Sequence, residues 1–317
     1  MSDPIRKARR AAARVTEEES PWDRLRGEGS PLANSLAEDM KRLDAIGGSK
    51  FRVPASTRII AIANQKGGVG KTTTAVNIAA ALAQGGLNVL VVDDDPQGNA
   101  STALGASRDE NVATLYDVLV GNVTMRDAMQ PTEKLENLFV VPSSINLSLV
   151  DVELADQDDR MTRLRDTLRE GLAATAAEGA PFDYVFIDCP PSMSLLPINA
   201  LIAAKEVLIP VQTEYYALEG LTQLLHTIEG ASASHNPELR VSTILLTMSS
   251  KNTNLSAEVA ENVRDYFPEQ TLETEIPRSV RIAESPSYGE TVITFAPRSS
   301  GAIAYLAAAH ELANRAE

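Results

Sequence analysis

Short runs rich in Ile, Val and Leu alternate with longer amphipathic stretches from Thr57 onward. Runs that are apolar at successive positions are typical of strands buried on both faces of a parallel sheet. The runs are "RIIAIAN", "NVLVVDDD", "LFVVPSS", "DYVFIDCPP", "EVLIPVQ" and "STILLTM", with "LETEIP" as a weaker seventh candidate.

The stretches between these runs have helical periodicity, with apolar residues three and four positions apart. The pattern predicts helices over Thr72–Gln84, Arg160–Ala177, Leu196–Ala204, Leu218–Ser234, Leu255–Phe267 and the segment "GAIAYLAAAHELANRA". Gly85 and Gly86 are expected to end the first helix. Regular alternation of strand and helix predicts an α/β fold, with a doubly wound, mostly parallel sheet flanked by helices.

Residues 1–55 have a different pattern, with repeated prolines, alternating basic and acidic runs and few apolar positions. Such a segment buries too little apolar surface to offset its ordering entropy. We therefore predict a flexible, disordered N-terminal arm with one short helix near "LANSLAEDMKRL", followed by a globular domain over 56–317. The arm is interpreted either as a solvated tail or as a docking segment for a polar or scaffold protein or an anionic surface.

Composition narrows the class of protein. The 317 residues are 44% apolar and 23% charged, with a formal net charge of −14, as in a globular protein that does not coat itself in nucleic acid. A local basic patch remains compatible with this charge. Cys189 is the one cysteine, which excludes an intrachain disulfide and a cysteine-built metal site. No apolar run reaches about 18 residues, and no secretory signal pattern is present, so we expect a cytoplasmic protein without a transmembrane segment.

A candidate phosphate-binding loop, "ANQKGGVGKTTTA", lies between the first strand and the first helix. Its end matches the pattern G-x-x-x-x-G-K-[ST], although Gln65 stands where the first glycine belongs. In such loops the backbone N–H groups and the helix N-terminus bind phosphate oxygens. We expect Lys71 to reach the β- and γ-phosphates and Thr72 to place its hydroxyl on Mg²⁺. The nucleotide-binding residues of the loop would be Lys66, Gly67, Gly68, Val69, Gly70, Lys71, Thr72 and Thr73.

Lys66 is a second lysine in this loop, where one is enough to neutralise the phosphates. From the N-terminal side of the loop its side chain can project away from the chain's own nucleotide. It would then stabilise charge on the nucleotide of a facing protomer, as an arginine finger does. The alternative is an ordinary solvated lysine.

Carboxylates follow two of the predicted strands, where ligands bind in parallel sheets. Strand alternation places Asp93 and Asp95 on one face and Asp94 on the other. We expect the Asp94 side chain to act as a cap or to face solvent. The alternative is that its charge lies near the site, where it would slow the chemistry or tune the affinity for Mg²⁺. Covalent catalysis is not expected, because no Ser-His or Cys-His pair is visible and His226, His235 and His310 lie on helical stretches or their ends.

Several segments, in order along the chain, resemble the ParA/MinD family of ATPases with a deviant Walker A motif. They are "KGGVGKTT", "VDDDPQGNAS", "FIDCPPS", "EYYALEGL", "LLTM", "IPRSVRIAESPSYG" and "APRSSGAIAY". The resemblance covers about residues 57 to 316 and is closest to chromosomal ParA. It implies a ParA-type P-loop ATPase domain over 56–317 with ATP and Mg²⁺ as cofactors.

The resemblance also implies roles for individual residues. Lys66, Lys71 and Asp95 would be catalytic, with Lys66 acting across a dimer and Asp95 orienting the attacking water. The Mg²⁺ site would be formed by Thr72, Asp93 and Asp188. The adenine would be bordered by Pro277 and Ser279, and the family usually has asparagine at the position of Ser279. Thr247 and Met248 are expected in the same pocket or as strand-end packing. DNA contacts would come from Lys251, Arg278, Arg281 and Arg298.

The function implied by the resemblance is an ATP-dependent dimeric switch in chromosome or plasmid segregation. It would hydrolyse ATP slowly, bind non-specific DNA as the ATP homodimer, associate with the nucleoid and be stimulated by a ParB-like centromere-binding partner. The alternative is a MinD-like or orphan ParA-like positioning ATPase that acts on a membrane or protein scaffold. The C-terminal stretch "AYLAAAHELANRAE" has a single arginine, which disfavours a membrane-binding helix with a basic face.

Overall fold

A computed structural model describes residues 40, 41, 43, 51–107, 112–192, 194–214, 217–250 and 253–315. The chain divides into two units, Met1–Gly48 and Ser49–Glu317, and every element named below belongs to the second. The predicted disorder of the arm and its short helix fall almost entirely outside the described residues. The boundary between residues 55 and 56 stays a prediction.

The second unit contains a seven-stranded sheet in the order β3-β4-β2-β5-β1-β6-β7. All neighbouring strands are parallel except β3, which pairs antiparallel with β4. This arrangement confirms the predicted doubly wound fold. The strands are β1 Arg58–Ile62, β2 Val89–Asp93, β3 Gln130–Pro131, β4 Leu138–Val141, β5 Tyr184–Asp188, β6 Glu206–Gln212 and β7 Arg240–Thr247.

Helices cover both faces of this sheet. They are α1 Lys71–Gln84, α2 Asn99–Ala103, α3 Leu115–Val120, α4 Met125–Ala128, α5 Val150–Glu153, α6 Arg163–Ala177, α7 Leu195–Ala203, α8 Ala217–Ser234, α9 Asn254–Tyr266, α10 Val280–Glu284, α11 Val292–Phe295 and α12 Ser300–Asn314. Two short 3₁₀ helices, Ile145–Leu149 and Ser285–Tyr288, precede α5 and follow α10. The described residues contain no helix that is long and apolar enough to cross a bilayer.

Each face of the sheet carries its own apolar cluster. Ile60 and Ile62 of β1 pack with α1 and α12, whereas Ile59 and Ala61 pack with α6 and α7 on the other face. Successive strand residues point to opposite faces, so strands buried on both sides need apolar residues throughout. This explains why the parallel strands are continuous apolar runs in the sequence.

The weak seventh strand predicted at "LETEIP" is wrong. Leu272 and Ile276 bond to the outer edge of β7, but only isolated bridges form there. The backbone N–H groups of Glu273 and Thr274 donate instead to the Glu311 carboxylate of α12. The seventh strand is the two-residue β3 at the opposite edge, where Pro131 is tolerated because one side of an edge strand is unpaired.

The helix predicted from Arg160 begins at Arg163. Asn199 of α7 accepts a hydrogen bond from the Leu164 N–H at 3.1 Å and donates to the Arg160 carbonyl at 2.8 Å. A side chain from another helix therefore fixes where α6 begins, and the local sequence pattern does not contain that information.

A contact between two glycines joins the segment after β2 to the segment after α10. Gly105 and Gly289 both have positive φ, 66° and 65°, and a Cβ built on Gly105 would lie 3.3 Å from the Gly289 carbonyl oxygen. Neither position accommodates a larger residue without strain. The backbones therefore pack directly on each other.

Candidate nucleotide site

The loop between β1 and α1 lies at the carboxyl edge of the sheet, where β1, β2 and β5 end together. Gly68 and Gly70 have φ of 76° and 91°, a left-handed conformation that glycine adopts without steric cost. The Thr247 hydroxyl at the end of β7 donates to the Val69 carbonyl at 2.8 Å and holds the loop against the sheet. Gly67 and Gly68 are exposed, with open space where a Cβ would be.

Lys71 begins α1 and is 7% exposed. Its Nζ donates to the Lys66 carbonyl at 3.2 Å, so the side chain lies across the loop. Burial lowers the pKa of Lys71, and the nearby Asp188 and Asp95 carboxylates oppose that shift. The lysine therefore lies where an anion bound in the loop would meet it.

Lys66 projects out of the loop and is not an unpaired surface lysine. Its Nζ lies 2.8 Å from Oε2 of Glu214, which follows β6. Both side chains are partly exposed, and Gln212 donates to the other Glu214 oxygen. The ammonium group of Lys66 therefore points away from Lys71, toward the outer side of the loop.

Asp188 ends β5 directly below the loop and is completely buried. Neither of its carboxylate oxygens has a hydrogen bond of regular geometry within the described residues, although the Thr72 hydroxyl lies close enough to act on its pKa as a donor. Burial raises the pKa of Asp188 well above its usual range, the Asp93 charge adds to the rise, and Thr72 and Lys71 oppose it. A buried carboxylate without a partner requires compensation by a ligand or a proton.

Asp93 ends β2 beside Asp188, and its oxygens are already in use. One accepts from the backbone N–H and the hydroxyl of Ser101 at 2.7 and 2.6 Å, and the other accepts from the Asp95 N–H at 3.3 Å. Burial raises the pKa of Asp93 to about 6, and the Ser101 hydrogen bonds oppose that rise. Asp93 therefore fixes the start of α2 as well as facing the site.

Asp95 is 8% exposed and lies in the turn between β2 and α2. Its carboxylate accepts from the Gln97 N–H at 3.0 Å, and its carbonyl accepts from the Ser143 hydroxyl at 2.6 Å. The Ser143 N–H donates to the Ser101 hydroxyl at 2.9 Å. Two serines therefore hold the segment that carries Asp93 and Asp95.

The prediction that Asp94 caps a helix or faces solvent is wrong. Asp94 is 0% exposed, and neither of its oxygens has a partner within the described residues. Because Asp93 pairs with Asp188 in the parallel register, Asp94 lies next to Cys189 on the opposite face. Burial and then the Asp93 charge raise the pKa of Asp94 well above its usual range. Cys189 is buried as expected.

A cavity of about 290 Å³ lies beside the loop and contains Gly70 and Thr73. The expected base-binding residues Pro277, Ser279, Thr247 and Met248 all line this cavity. Met248 has φ of 52°, the single positive value at a non-glycine residue in the described part of the chain. Its backbone strain falls at the wall of the cavity, which fits a ligand-binding position.

The expected DNA-binding residues are only partly brought together. Arg278 lines the rim of the same cavity, and Arg281 is exposed on the following helix with an ion pair to Glu284 at 3.0 Å. Arg298 is exposed before α12. Lys251 lies outside the described residues, so its role stays a prediction.

The donor set fits Mg²⁺, which prefers carboxylate and hydroxyl oxygens. Asp188 offers two unpartnered buried oxygens, and Thr72 lies at the start of α1 close enough to influence its pKa. The oxygens of Asp93 already accept three hydrogen bonds, so Asp93 fits a supporting position behind Asp188 better than a direct ligand.

Sequence reasoning missed three polar residues that organise this site. Ser101 was visible within the quoted segment "VDDDPQGNAS", but nothing in the sequence assigns its hydroxyl to Asp93. Ser143 and Glu214 follow other strands, and only the shared carboxyl edge of the sheet brings them near Asp95 and Lys66. Polar residues just after strands were the available signal.

The fold and the loop define a P-loop nucleotide-binding protein. The model of a family described as "AAA domain" matches residues 57–241. The chain is 49% identical over 258 residues to the chromosome partitioning protein ParA of Myxococcus xanthus, covering 81% of this chain and 88% of that one. It is 47% identical over 256 residues to the sporulation initiation inhibitor protein Soj of Bacillus subtilis, covering 81% and 98%.

A solved structure also has a similar fold. Cobyrinic acid a,c-diamide synthase from Mycobacterium smegmatis, with bound ATP analog and magnesium, superimposes with a TM-score of 0.69 at 36% identity over 81% of this chain and 94% of that one. The chain belongs to the ParA family of the ParA/MinD superfamily of P-loop ATPases.

Proposed function

We propose that this protein is a partitioning ATPase that hydrolyses ATP with Mg²⁺ in the loop site. The observation that carries the proposal is the buried Asp188 carboxylate, which has no partner within the described residues and lies under a loop with Lys71 and Thr72. The identities with ParA and Soj, and the ATP analog and magnesium bound by the similar synthase, support ATP and Mg²⁺ as its cofactors.

In this proposal each residue of the site has its own role. The loop N–H groups and Lys71 bind the β- and γ-phosphates, while Thr72 and Asp188 would hold Mg²⁺, which would neutralise charge on the phosphate oxygens. Asp95 orients the water that attacks the γ-phosphorus, with ADP and phosphate as products. Its fixed position, between the Gln97 N–H and the Ser143 hydroxyl, suits orientation of that water.

Lys66 completes the site in a second protomer. In the single chain its ammonium group is directed outward and paired with Glu214, so it does not contribute to the chain's own phosphate site. An ATP-bound homodimer would bring it to the partner's phosphates, and hydrolysis would stay slow until that dimer forms.

The relatives named for chromosome partitioning support a role in segregation. In this proposal the ATP dimer binds nucleoid DNA non-specifically through Arg278, Arg281, Arg298 and Lys251. A ParB-like centromere-binding protein stimulates hydrolysis and releases the dimer. The N-terminal arm contacts a polar or scaffold protein, and the globular domain spans 56–317.

The test is binding to a long non-specific DNA duplex with ATP and Mg²⁺, with ADP or without nucleotide, at two salt concentrations. We expect binding that requires ATP, weakens with salt and is lost in Arg278→Ala/Arg281→Ala. Arg126→Ala is the matched control, because Arg126 is also exposed and ion-paired, with Glu178 at 2.9 Å. Lys71→Ala should abolish ATP binding.

An intact ATPase that fails to bind DNA in all three conditions, with ATP, with ADP and without nucleotide, would contradict the segregation role. A MinD-like or scaffold-bound switch would then be tested with lipid vesicles. Micromolar ATP affinity in Lys71→Ala would contradict the loop assignment itself.

A further inference from the structure

An apolar stripe is exposed on the short helical segment that follows β4. The stripe consists of Ile145, Leu149 and Val152, whose exposed fractions are 66%, 49% and 76%. Spacings of four and three residues place these side chains on one side of the segment. The residues between them, Leu147 and Val150, are buried in the core and anchor the segment from the other side.

This concentration of exposed apolar surface is unusual for the molecule. The described residues contain eight large exposed hydrophobic side chains, and three of them form the stripe. Single exposed apolar residues are normal, whereas a contiguous set with a polar border marks an interaction surface.

Acidic side chains border the stripe. Asp151, Glu153, Asp156, Asp158 and Asp159 are all exposed within and just after α5. Glu153 accepts from the Tyr116 hydroxyl and Asp159 pairs with Arg163. The other three carboxylates have no ion-pair partner within the part of the chain that the structure describes. Arg160 is also exposed there and donates to the Ala155 carbonyl, but five carboxylates outnumber Arg160 and Arg163. The surface is therefore apolar along its centre and net negative at its border.

Ile145 of the stripe also lines a cavity of about 590 Å³. Pro96, Gln97 and Gly98, which follow Asp95, line the same cavity. Ser143 lines the same cavity and donates to the Asp95 carbonyl. A ligand that lies along the stripe and enters this cavity at Ile145 would therefore reach the residues that follow Asp95.

We propose that the stripe and its acidic border form a docking surface for a basic, amphipathic segment of a partner protein. Apolar side chains of the segment cover the stripe, and its Arg or Lys residues pair with Asp151, Asp156 and Asp158. A second copy of this chain is a poor occupant. A two-fold contact would set each acidic border against its own equivalent, in a chain whose net charge is already −14.

The test uses Gln157→Cys, labelled with an environment-sensitive fluorophore and measured without nucleotide. Gln157 is exposed next to the acidic border, and the native Cys189 is buried and does not react. The probe is a short synthetic peptide of leucine and arginine with helical spacing. Two matched peptides replace its arginines with glutamate or its leucines with serine. Gln84→Cys, exposed at the end of α1 on the opposite face of the sheet, is the control label position.

We expect saturable binding of the leucine–arginine peptide that is reported by the label of Gln157→Cys and not by the label of Gln84→Cys. Ile145→Ser/Val152→Ser and, separately, Asp156→Asn/Asp158→Asn should each weaken it by about tenfold, since exposed apolar and ionic contacts of this size contribute in that range. Both pairs of residues are exposed, so the fold is unaffected, and ATP binding serves to check this.

Three results would overturn the proposal. One is equal binding of the glutamate or serine peptide, and another is binding that neither double variant weakens. The third is a self-association constant that falls in Ile145→Ser/Val152→Ser without any peptide, which would make this face a contact between copies. Because the measurement needs no ATP, its failure is separate from failure of the proposed ATPase.

Discussion

Lys66 and Glu214 form an ion pair of 2.8 Å on the outer side of the phosphate loop. The pair holds the lysine away from Lys71, which lies across the loop interior. The side chains of the two lysines therefore point in different directions. The role of each lysine can be tested by a separate substitution.

The first prediction concerns Lys66→Ala. Because Lys66 points away from the chain's own phosphate site, the variant should bind ATP within about threefold of the native protein. It should neither dimerise with ATP nor hydrolyse it. Nucleotide titration and analytical ultracentrifugation measure the two effects. An ATP-dependent dimer of normal stability would remove Lys66 from the trans role.

The second prediction concerns its partner, Glu214→Gln. The change removes a charge that competes with the phosphates for Lys66. The ATP concentration for half-maximal dimerisation should fall by about two- to fivefold, the range expected for a partly exposed ion pair. Glu178→Gln removes a comparable exposed pair with Arg126 and is the control. A rise in that concentration would mean that Glu214 helps to position Lys66 for the dimer.

The third prediction concerns Asp95→Ala. Asp95 orients water in the proposed mechanism, and its backbone is held by the Ser143 hydroxyl independently of its side chain. The variant should bind ATP and accumulate as a dimer, with hydrolysis reduced at least about a hundredfold. Phosphate release under single-turnover conditions measures this. Unchanged turnover would exclude Asp95 from the reaction.

The fourth prediction concerns Asp94→Val. Removing a completely buried carboxyl without partners should raise the free energy of unfolding by about 1–3 kcal/mol. Burial raises the pKa of Asp94 in the folded state, so the folded protein holds a proton that the unfolded chain releases above about pH 4. The free energy of unfolding should therefore decrease as pH rises from about 4 toward the raised pKa of Asp94.

The Val variant should lose this part of the pH dependence. Asp94→Asn is the isosteric control, because it removes the titration and keeps the shape. Denaturant unfolding at several pH values gives both quantities. Equal pH slopes for native protein and both variants would show that Asp94 does not titrate in this range.

The fifth prediction concerns an ion pair at the other edge of the sheet. Arg58 donates to both oxygens of Glu206 at 2.8 and 2.7 Å, with side chains 10% and 4% exposed. Glu206→Gln leaves a buried guanidinium without its counter-charge and should cost about 3 kcal/mol of stability. ATP binding should be unaffected, because β1 and β6 begin at the edge opposite the loop.

The pH dependence of this pair has the opposite sign to that of Asp94. Burial alone would raise the pKa of Glu206, but the Arg58 hydrogen bonds and charge bring it below its usual value. The stabilisation is thus complete above about pH 4 and is lost as pH falls further. Acid unfolding that is identical in native protein and Glu206→Gln would contradict this.

Much of the fold could be predicted because buried parallel strands and amphipathic helices leave strong periodic signals. The six long strands and the first and last helices have the expected positions. The failures occur where tertiary contacts replace local pattern. The Glu311 carboxylate accepts the hydrogen bond of the Glu273 N–H, which would otherwise have extended the sheet. The Asn199 side chain determines where α6 begins.

The position of the loop between β1 and α1 could be predicted because glycines, lysine and threonine occur in a fixed order between a strand and a helix. The environment of Asp94 could not be predicted, because the burial of this side chain depends on which elements cover the sheet beyond β2. An aspartate at a strand end normally suggests solvent, and in this chain α/β packing encloses it completely. Likewise, no sequence spacing links Lys66 to Glu214.

The contact of Gly105 with Gly289 gives the nucleotide site a mechanical property. One glycine follows the helix held by Asp93 and Ser101, and the other follows the 3₁₀ helix beside the cavity that contains Ser279. Because backbone lies against backbone, neither residue has a side chain that could absorb a displacement. A movement of the segment that carries Asp93 and Ser101 is therefore expected to displace the 3₁₀ helix beside the cavity as well.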